Sequence, residues 1–347
     1  MRRIRIIVLL VLAALMATVL SACGESKPSI NVFNWGDYID EDVVKDFEKE
    51  YGIKVNYSMY ATNEDLYVKL KQGGESFDVI FPSDYMIERM IRENMLAKLD
   101  KDNIPNMENI DQNFFGLAYD PHDQYSVPYM WGTVGIVYNK TMVDDPVDSW
   151  DILWDEKYKD QIIMLNSQRD TIAVALLKLG YSMNTRDIGE LEEAKAELIK
   201  QRHLVWAYQG DEVKDTMVGG EAALAVVWSG DAVAMIRDNP DLDYVIPKEG
   251  TNLWFDDMVI PANSKNKEDA EKFINFMCRP EIAARNADYI GYSTPIPEAI
   301  ELLPDDMKES RVAYPSDQEI DNTEIFRDPM DIVVEYDRIW TEVLSGE

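Results

Sequence analysis

Cysteine is almost missing from this chain. Cys23 and Cys278 are the only two, so a disulfide framework does not hold the fold together. Histidine is equally scarce. His122 lies in a Pro-Asp loop and His203 at a charged helix end, neither beside a nucleophile motif. No Gly-x-Ser-x-Gly elbow occurs, and no His/Cys/Asp cluster has zinc spacing. No glycine-rich loop follows a strand to cradle phosphate, because Gly73-Gly74 ends a helix instead. Acid–base catalysis is left with paired carboxylates such as Asp170 and Asp256. The expectation is a protein that is not an enzyme and holds no metal or cofactor. Positive charge is also in deficit: 34 Lys+Arg stand against 65 Asp+Glu, a net −31. Nucleic acid is therefore a poor partner, whereas a cation would be drawn in.

Long apolar runs are absent except at the N-terminus. Arg2, Arg3 and Arg5 precede an apolar run over residues 6–20, interrupted only by Thr18. The run is short for a membrane-spanning helix, which needs about 20 residues, and fits the hydrophobic segment of a signal peptide. Leu20-Ser21-Ala22-Cys23 follows at once and resembles the lipobox of bacterial lipoproteins, whose cysteine is lipidated and becomes the new N-terminus. That resemblance implies a signal peptide over residues 1–22, a lipidated tether over 23–29, and a location outside the cytoplasm, on the outer face of the cytoplasmic membrane or in a periplasm. Cys278 ends the apolar helical stretch of residues 273–278 and reads as a buried small hydrophobe.

What remains alternates. Residues 30–34 read as a strand, Asp40 caps a helix carrying Val43, Val44 and Phe47, and Gly52 ends it. A strand over 53–57, a helix capped by Asn63, a strand over 77–81 and a helix over 85–95 continue the pattern of a parallel α/β sheet. Segments 125–129 and 135–138 read as two strands of a crossover. A second α/β set follows: strands 162–165 and 222–228, helices 171–179, 188–201 and 231–238. Residues 258–261 read as the return crossing, 267–277 as a helix of the first set, and 330–344 as a C-terminal helix. More than 300 residues of mature chain suggest two lobes rather than one core. The first lobe is assigned to 30–131 plus 257–300, the second to 132–256 plus 301–347. Two α/β lobes joined by crossing strands form a hinged cleft that can close on a ligand.

Ligands of open α/β sheets sit at the carboxyl ends of strands. There the chain repeatedly offers aromatics beside acids: Trp35-Gly36-Asp37-Tyr38, Ser83-Asp84-Tyr85, Ser167 with Asp170, Trp228, and Trp254-Phe255-Asp256, while a turn-rich loop adds Tyr292. Trp254 and Asp256, two apart on an extended chain, face one way. Asp84 reads as a helix cap or a solvated residue. A Trp at a strand end is more often packing than a ligand wall, so the recurrence carries the argument. Aromatic faces attract alkyl ammonium ions by roughly 0.5–2 kcal/mol each. They also shelter methylenes at about 0.8 kcal/mol per CH₂. A carboxylate hydrogen bond adds roughly 1.5–3 kcal/mol.

The ordered set Asn34-Trp35-Gly36-Asp37-Tyr38, Phe81-Pro82-Ser83-Asp84-Tyr85, Ser126-Val127-Pro128-Tyr129-Met130-Trp131-Gly132, Trp228-Ser229-Gly230, Trp254-Phe255-Asp256 and Gly291-Tyr292-Ser293-Thr294-Pro295 resembles the spermidine/putrescine-binding proteins of bacterial ABC transporters, over nearly the whole mature chain. The resemblance implies a two-lobed, type II periplasmic-binding-protein-like fold, a polyamine ligand, ABC permease subunits as partners, a lipid-anchored monomer and no nucleic acid. It assigns Trp35, Tyr38, Trp228, Trp254 and Tyr292 to aromatic walls and Asp256 to a ligand nitrogen. Asp170 takes a further acidic position, Gly36 and Asp37 the loop at the ligand end, and Ser83 and Tyr85 further contacts. Two positions depart from the best-known spermidine receptor: Ser167 stands where it has Asp, and Phe326 near where it has Gln. Both changes bear on which polyamine is preferred. The competing expectation is a same-fold receptor for a sugar, an amino acid (with Arg169 or Arg237 for its carboxylate) or ferric iron (with Tyr125 and Tyr129).

Overall fold

The computed structural model describes residues 28–346, so the leader and Cys23 lie outside the described residues. The first half-sheet forms as alternation dictates. Strand β1 (Ser29–Trp35) leads into helix α1 (Glu41–Tyr51), whose first turn is capped by the Asp40 carboxylate accepting from the Asp42 N–H. Gly52, at φ 68°, ends the helix in the left-handed conformation that a glycine adopts without strain. Strand β2 (Lys54–Tyr60) and helix α2 (Asn63–Gln72) follow. Thr62, not Asn63, is the cap of α2, its hydroxyl accepting from the Asp65 N–H. Strand β3 (Val79–Ile80) and helix α3 (Asp84–Arg92) complete the unit, with β2 and β3 parallel to β1 on either side.

The two strands expected over 125–129 and 135–138 are one strand, β4 (Ser126–Asn139), irregular only between Pro128 and Met130. Pro128 lacks an N–H, which accounts for a break in the ladder but not for an end to the strand. The second lobe comprises β5 (Ile162–Leu165), α4 (Gln168–Lys178), α5 (Ile188–Gln201), β6 (Val205–Gln209), α6 (Val213–Val218), β7 (Leu224–Trp228), α7 (Ser229–Asp238) and β8 (Leu242–Val245). Strands β6 and β8 carry no clear apolar alternation and are not evident in the sequence. The return strand β9 (Thr251–Val259) contains Trp254 and Asp256 rather than following them. Helices α8 (Lys267–Met277) and α9 (Pro280–Ile290) pack in the first lobe, β10 (Thr323–Glu324) pairs β9, and α10 (Val333–Ser345) ends the described chain.

Strand order is β2-β1-β3-β9-β4-β7-β5-β6. Strands β4 and β9 therefore join both lobes. They pair antiparallel with each other over Ser126–Thr133, and from Val134 onward β4 turns to β7 and β8. Helix α10 packs on α4 and α5 through Tyr336, Ile339 and Val343, all buried with Ile172, Leu176 and Leu198. Cys278 is a free thiol, 1% exposed, and burial pushes its pKa up to about 12. It packs as the apolar residue its sequence context suggests.

Candidate functional site

Strand β9 supplies the floor between the lobes. Asp256 is 7% exposed, and the Tyr38 hydroxyl donates to its Oδ2 at 2.7 Å. Its Oδ1 is buried with no donor. Ser83 lies in a backbone bridge with Asp256. Burial pushes the Asp256 carboxyl up to about 6, and the negative charge of Asp170 adds to this, while the Ser83 and Tyr38 hydroxyls pull it down. Two residues back, Trp254 donates Nε1–H to the Thr133 carbonyl at 3.3 Å. Its ring occupies space over Gly132, where a Cβ would meet Trp254 Cζ2 and Ser229 Oγ at 2.5 Å. Only glycine at 132 lets this indole reach the floor.

Four rings stand together here. Tyr292 meets Trp254 and Tyr38 edge-on, with centroids 5.2 and 5.5 Å apart, and Tyr38 meets Tyr129 at 5.6 Å. Tyr292 presses directly on the first turn of α7. A Cβ on Gly230 would fall 1.1 Å from Tyr292 Cδ1, so this contact between the lobes also depends on a glycine. Beside it lies Asp231, 5% exposed, its Oδ2 without a donor. Burial raises its pKa to about 6, against the opposing pull of Lys214 and of the Tyr292 hydroxyl.

Asp170 sits in the first turn of α4. The Ser167 hydroxyl donates to its Oδ2 at 2.7 Å and the Asn252 amide to its Oδ1 at 3.3 Å. Burial raises its pKa; the Ser167, Asn252 and Trp228 side chains lower it. Trp228, half-buried, stands at the head of α7.

Not every expected residue points inward. The Trp35 indole N–H donates to the Phe81 carbonyl at 2.7 Å, and its ring packs on Tyr60 at 4.6 Å, so this residue is partly committed to the first lobe's core. Gly36 and Asp37 are exposed. The Tyr85 hydroxyl turns toward α2, accepting from Asn63 and donating to Glu64, each at 3.1 Å. Its ring, with Phe326, covers the Arg169 guanidinium at 5.1 and 4.4 Å. Arg169 is 5% exposed and donates to the Arg327 carbonyl, while Arg237 pairs with Asp288 and Asp306 at the surface. Asp84 is not solvated: it is fully buried and accepts from the Phe255 and Tyr85 N–H groups, fastening α3 to β9.

Asp231, Lys214 and Asn252 were not evident as site residues from the sequence. An Asp in the first turn of a helix reads as an ordinary terminal charge, and nothing local reveals that Gly230 brings Tyr292 against it.

The site is thus a set of buried acceptors among aromatic faces. Asp256 Oδ1, Asp231 Oδ2 and Asn252 Oδ1 all lack donors. Such an arrangement matches a ligand rich in N–H groups with apolar spacers.

A family model for bacterial extracellular solute-binding proteins matches residues 42–315. The spermidine/putrescine-binding periplasmic protein of Escherichia coli (strain K12) is 38% identical over 318 residues, 91% of each chain. The spermidine/putrescine ABC transporter substrate-binding protein PotD of Streptococcus pneumoniae superposes with TM-score 0.80 at 41% identity, covering 92% of this chain and 99% of its own. The Tp0655 (TpPotD) lipoprotein of Treponema pallidum does so with TM-score 0.82 at 26% identity, covering 91% and 99%.

Proposed function

The chain belongs to the bacterial extracellular solute-binding proteins, and from that premise we propose that it is an extracytoplasmic polyamine receptor that delivers its ligand to an ABC importer. The observation that carries this reading is the pair of buried carboxylate oxygens without donors, Asp256 Oδ1 and Asp231 Oδ2, set around the Tyr38–Tyr292–Trp254 rings. Leaving such an acceptor unmatched costs about 1–3 kcal/mol or more. An ammonium satisfies it, and the rings then cover the methylenes between charges.

In this reading Tyr38, Trp228, Trp254 and Tyr292 wall the ligand, and Asp256 takes a nitrogen. Asp170 adds negative charge nearby while Ser167 holds it in place. Ser83, Trp35, Gly36, Asp37 and Tyr85 shape the rim. The receptor works as a monomer and a carrier, not a catalyst. It captures a cation in the open cleft, closes, and presents the closed face to the permease. Cys23 carries the lipid. More than one acyl chain is needed there, because a single one binds a bilayer only marginally. No helix of the described residues is long and apolar enough to cross a membrane.

Titration calorimetry of the purified receptor against putrescine, spermidine, a neutral sugar and an α-amino acid tests the reading. Micromolar or tighter binding of polyamine alone is expected. Folded protein that takes up the sugar or the amino acid and neither polyamine would overturn it.

A further inference from the structure

One end of this acidic cleft already holds an ammonium that belongs to the protein. Lys214, on α6, brings Nζ to 3.5 Å from Asp231 Oδ1, with its side chain 32% exposed. Asp211 on its own lobe and Asp37 on the facing lobe also lie close enough to act on its charge. Asp231 is therefore shared: Oδ1 faces Lys214 and Oδ2 is left without a donor. The opposite end is closed in another way. Both Asp170 oxygens hold donors from Ser167 and Asn252. Beyond them the apolar Phe326, 3% exposed, covers the Arg169 guanidinium. Two carboxylate oxygens remain without a donor, one on Asp256 and one, at the Lys214 end, on Asp231.

Resting on the polyamine reading, we propose that Lys214 is a specificity-determining residue of this site. Its ammonium fills the Asp231 end of the cleft with a fixed positive charge, so that the receptor selects a short dication over a longer polyamine bearing a third charge. Two free carboxylate oxygens match two ligand ammonium groups. A third ammonium meets the Lys214 charge at one end, or at the other an Asp170 whose two oxygens already hold donors, with Arg169 behind an apolar ring. A lysine side chain ends in the same alkyl ammonium as the ligand, so Lys214 competes for Asp231 as a tethered amine.

The test is calorimetric titration of wild type, Lys214→Met and Lys214→Arg with putrescine and with spermidine. Wild type is expected to favour the diamine. Lys214→Met should shift the ratio of affinities toward the triamine by at least tenfold, and Lys214→Arg, which restores the charge, should return it to within about threefold of wild type. A ratio unmoved in Lys214→Met, with an unchanged thermal midpoint, would reduce Lys214 to a tether of α6 and overturn the proposal. Asp231→Asn gives a second check: with the lysine charge left unopposed, triamine affinity should fall more than diamine affinity, and an equal fall counts against the proposal. Wild type that binds neither amine defeats the polyamine reading itself, an outcome distinct from an unmoved ratio.

Discussion

Asp256 and Asp257 are neighbours on one strand, and both are buried, yet they face opposite sides of β9 and meet different company. Asp257 looks into the first lobe. The Tyr119 hydroxyl lies 3.2 and 3.1 Å from its two oxygens. Burial pushes its pKa up to about 7, higher than that of Asp256, which reaches about 6. A ranking by burial or by pKa shift would choose Asp257 as the functional group. The difference that matters is the unmatched oxygen. Asp256 has a buried oxygen that no donor reaches, whereas both oxygens of Asp257 lie within reach of the single Tyr119 hydroxyl proton. A buried oxygen without a donor calls for a partner from outside the protein, and a ligand nitrogen would supply it at Asp256.

Removing each charge in turn tests this difference most severely. Asp256→Asn should weaken polyamine binding by roughly ten- to hundredfold, the equivalent of the about 1.5–3 kcal/mol of one charge-assisted hydrogen bond. The thermal midpoint should hold, since the change also removes a buried charge. Asp257→Asn should leave affinity within about twofold. Calorimetry on both variants decides the matter; equal losses would mean that the two faces of β9 do not differ in function.

Acid separates the two aspartates next. Both Asp256 and Asp231 have their pKa raised to about 6 by burial. A bound cation favours the charged carboxylates, so binding lowers those values. Affinity should be flat between pH 7 and 8 and fall by up to about tenfold per titrating group for each unit below pH 6. Asp256→Asn should shed one group's share of that slope, and a wild-type affinity constant from pH 5 to 8 would sink the assignment. Asp257 acts on stability instead. Its folded pKa of about 7 lies above the unfolded value of roughly 3.9. The stability it contributes is thus complete below about pH 4 and lost as pH rises through 7. The melting temperature of Asp257→Asn relative to wild type should therefore climb between pH 5 and 8.

The same two residues show how far the sequence could be read. The alternation of strands and helices, the caps at Asp40 and Gly52, and the return of aromatics with acids at strand ends are local patterns, visible in a window of a few residues. Trp254 and Asp256 share a face because extended chains have a period of two. That rule also turns Asp257 away, but it cannot say which face is the cleft. The tertiary features have no local signature. Gly132 and Gly230 are required by rings distant in sequence, Asp84 is drawn inward by the Phe255 N–H, and the continuity of β4 through Pro128 is imposed by its pairing with β9.

A third carboxylate differs from both. Glu88, on α3 of the first lobe, is fully matched, but across the lobes. Arg327 donates to its two oxygens at 3.0 and 2.5 Å, and the Asp328 N–H adds a bond at 2.9 Å. Arg92 of α3 pairs with Asp328 in the opposite sense. The segment that carries Phe326 is thereby tied to the first lobe. The arginine side of each tie is solvated, with Arg327 46% and Arg92 41% exposed, which screens it, although Glu88 and Asp328 are 18% and 2% exposed. They act between lobes that must part for ligand to leave. Glu88→Gln should therefore raise the ligand dissociation rate by about three- to fivefold in stopped-flow measurements, with little change in association rate or in the melting temperature of the free receptor. If dissociation is unchanged, the lobes are held closed by the ligand's own contacts with Asp256 and the rings, and the matched carboxylate at the rim is surface chemistry only.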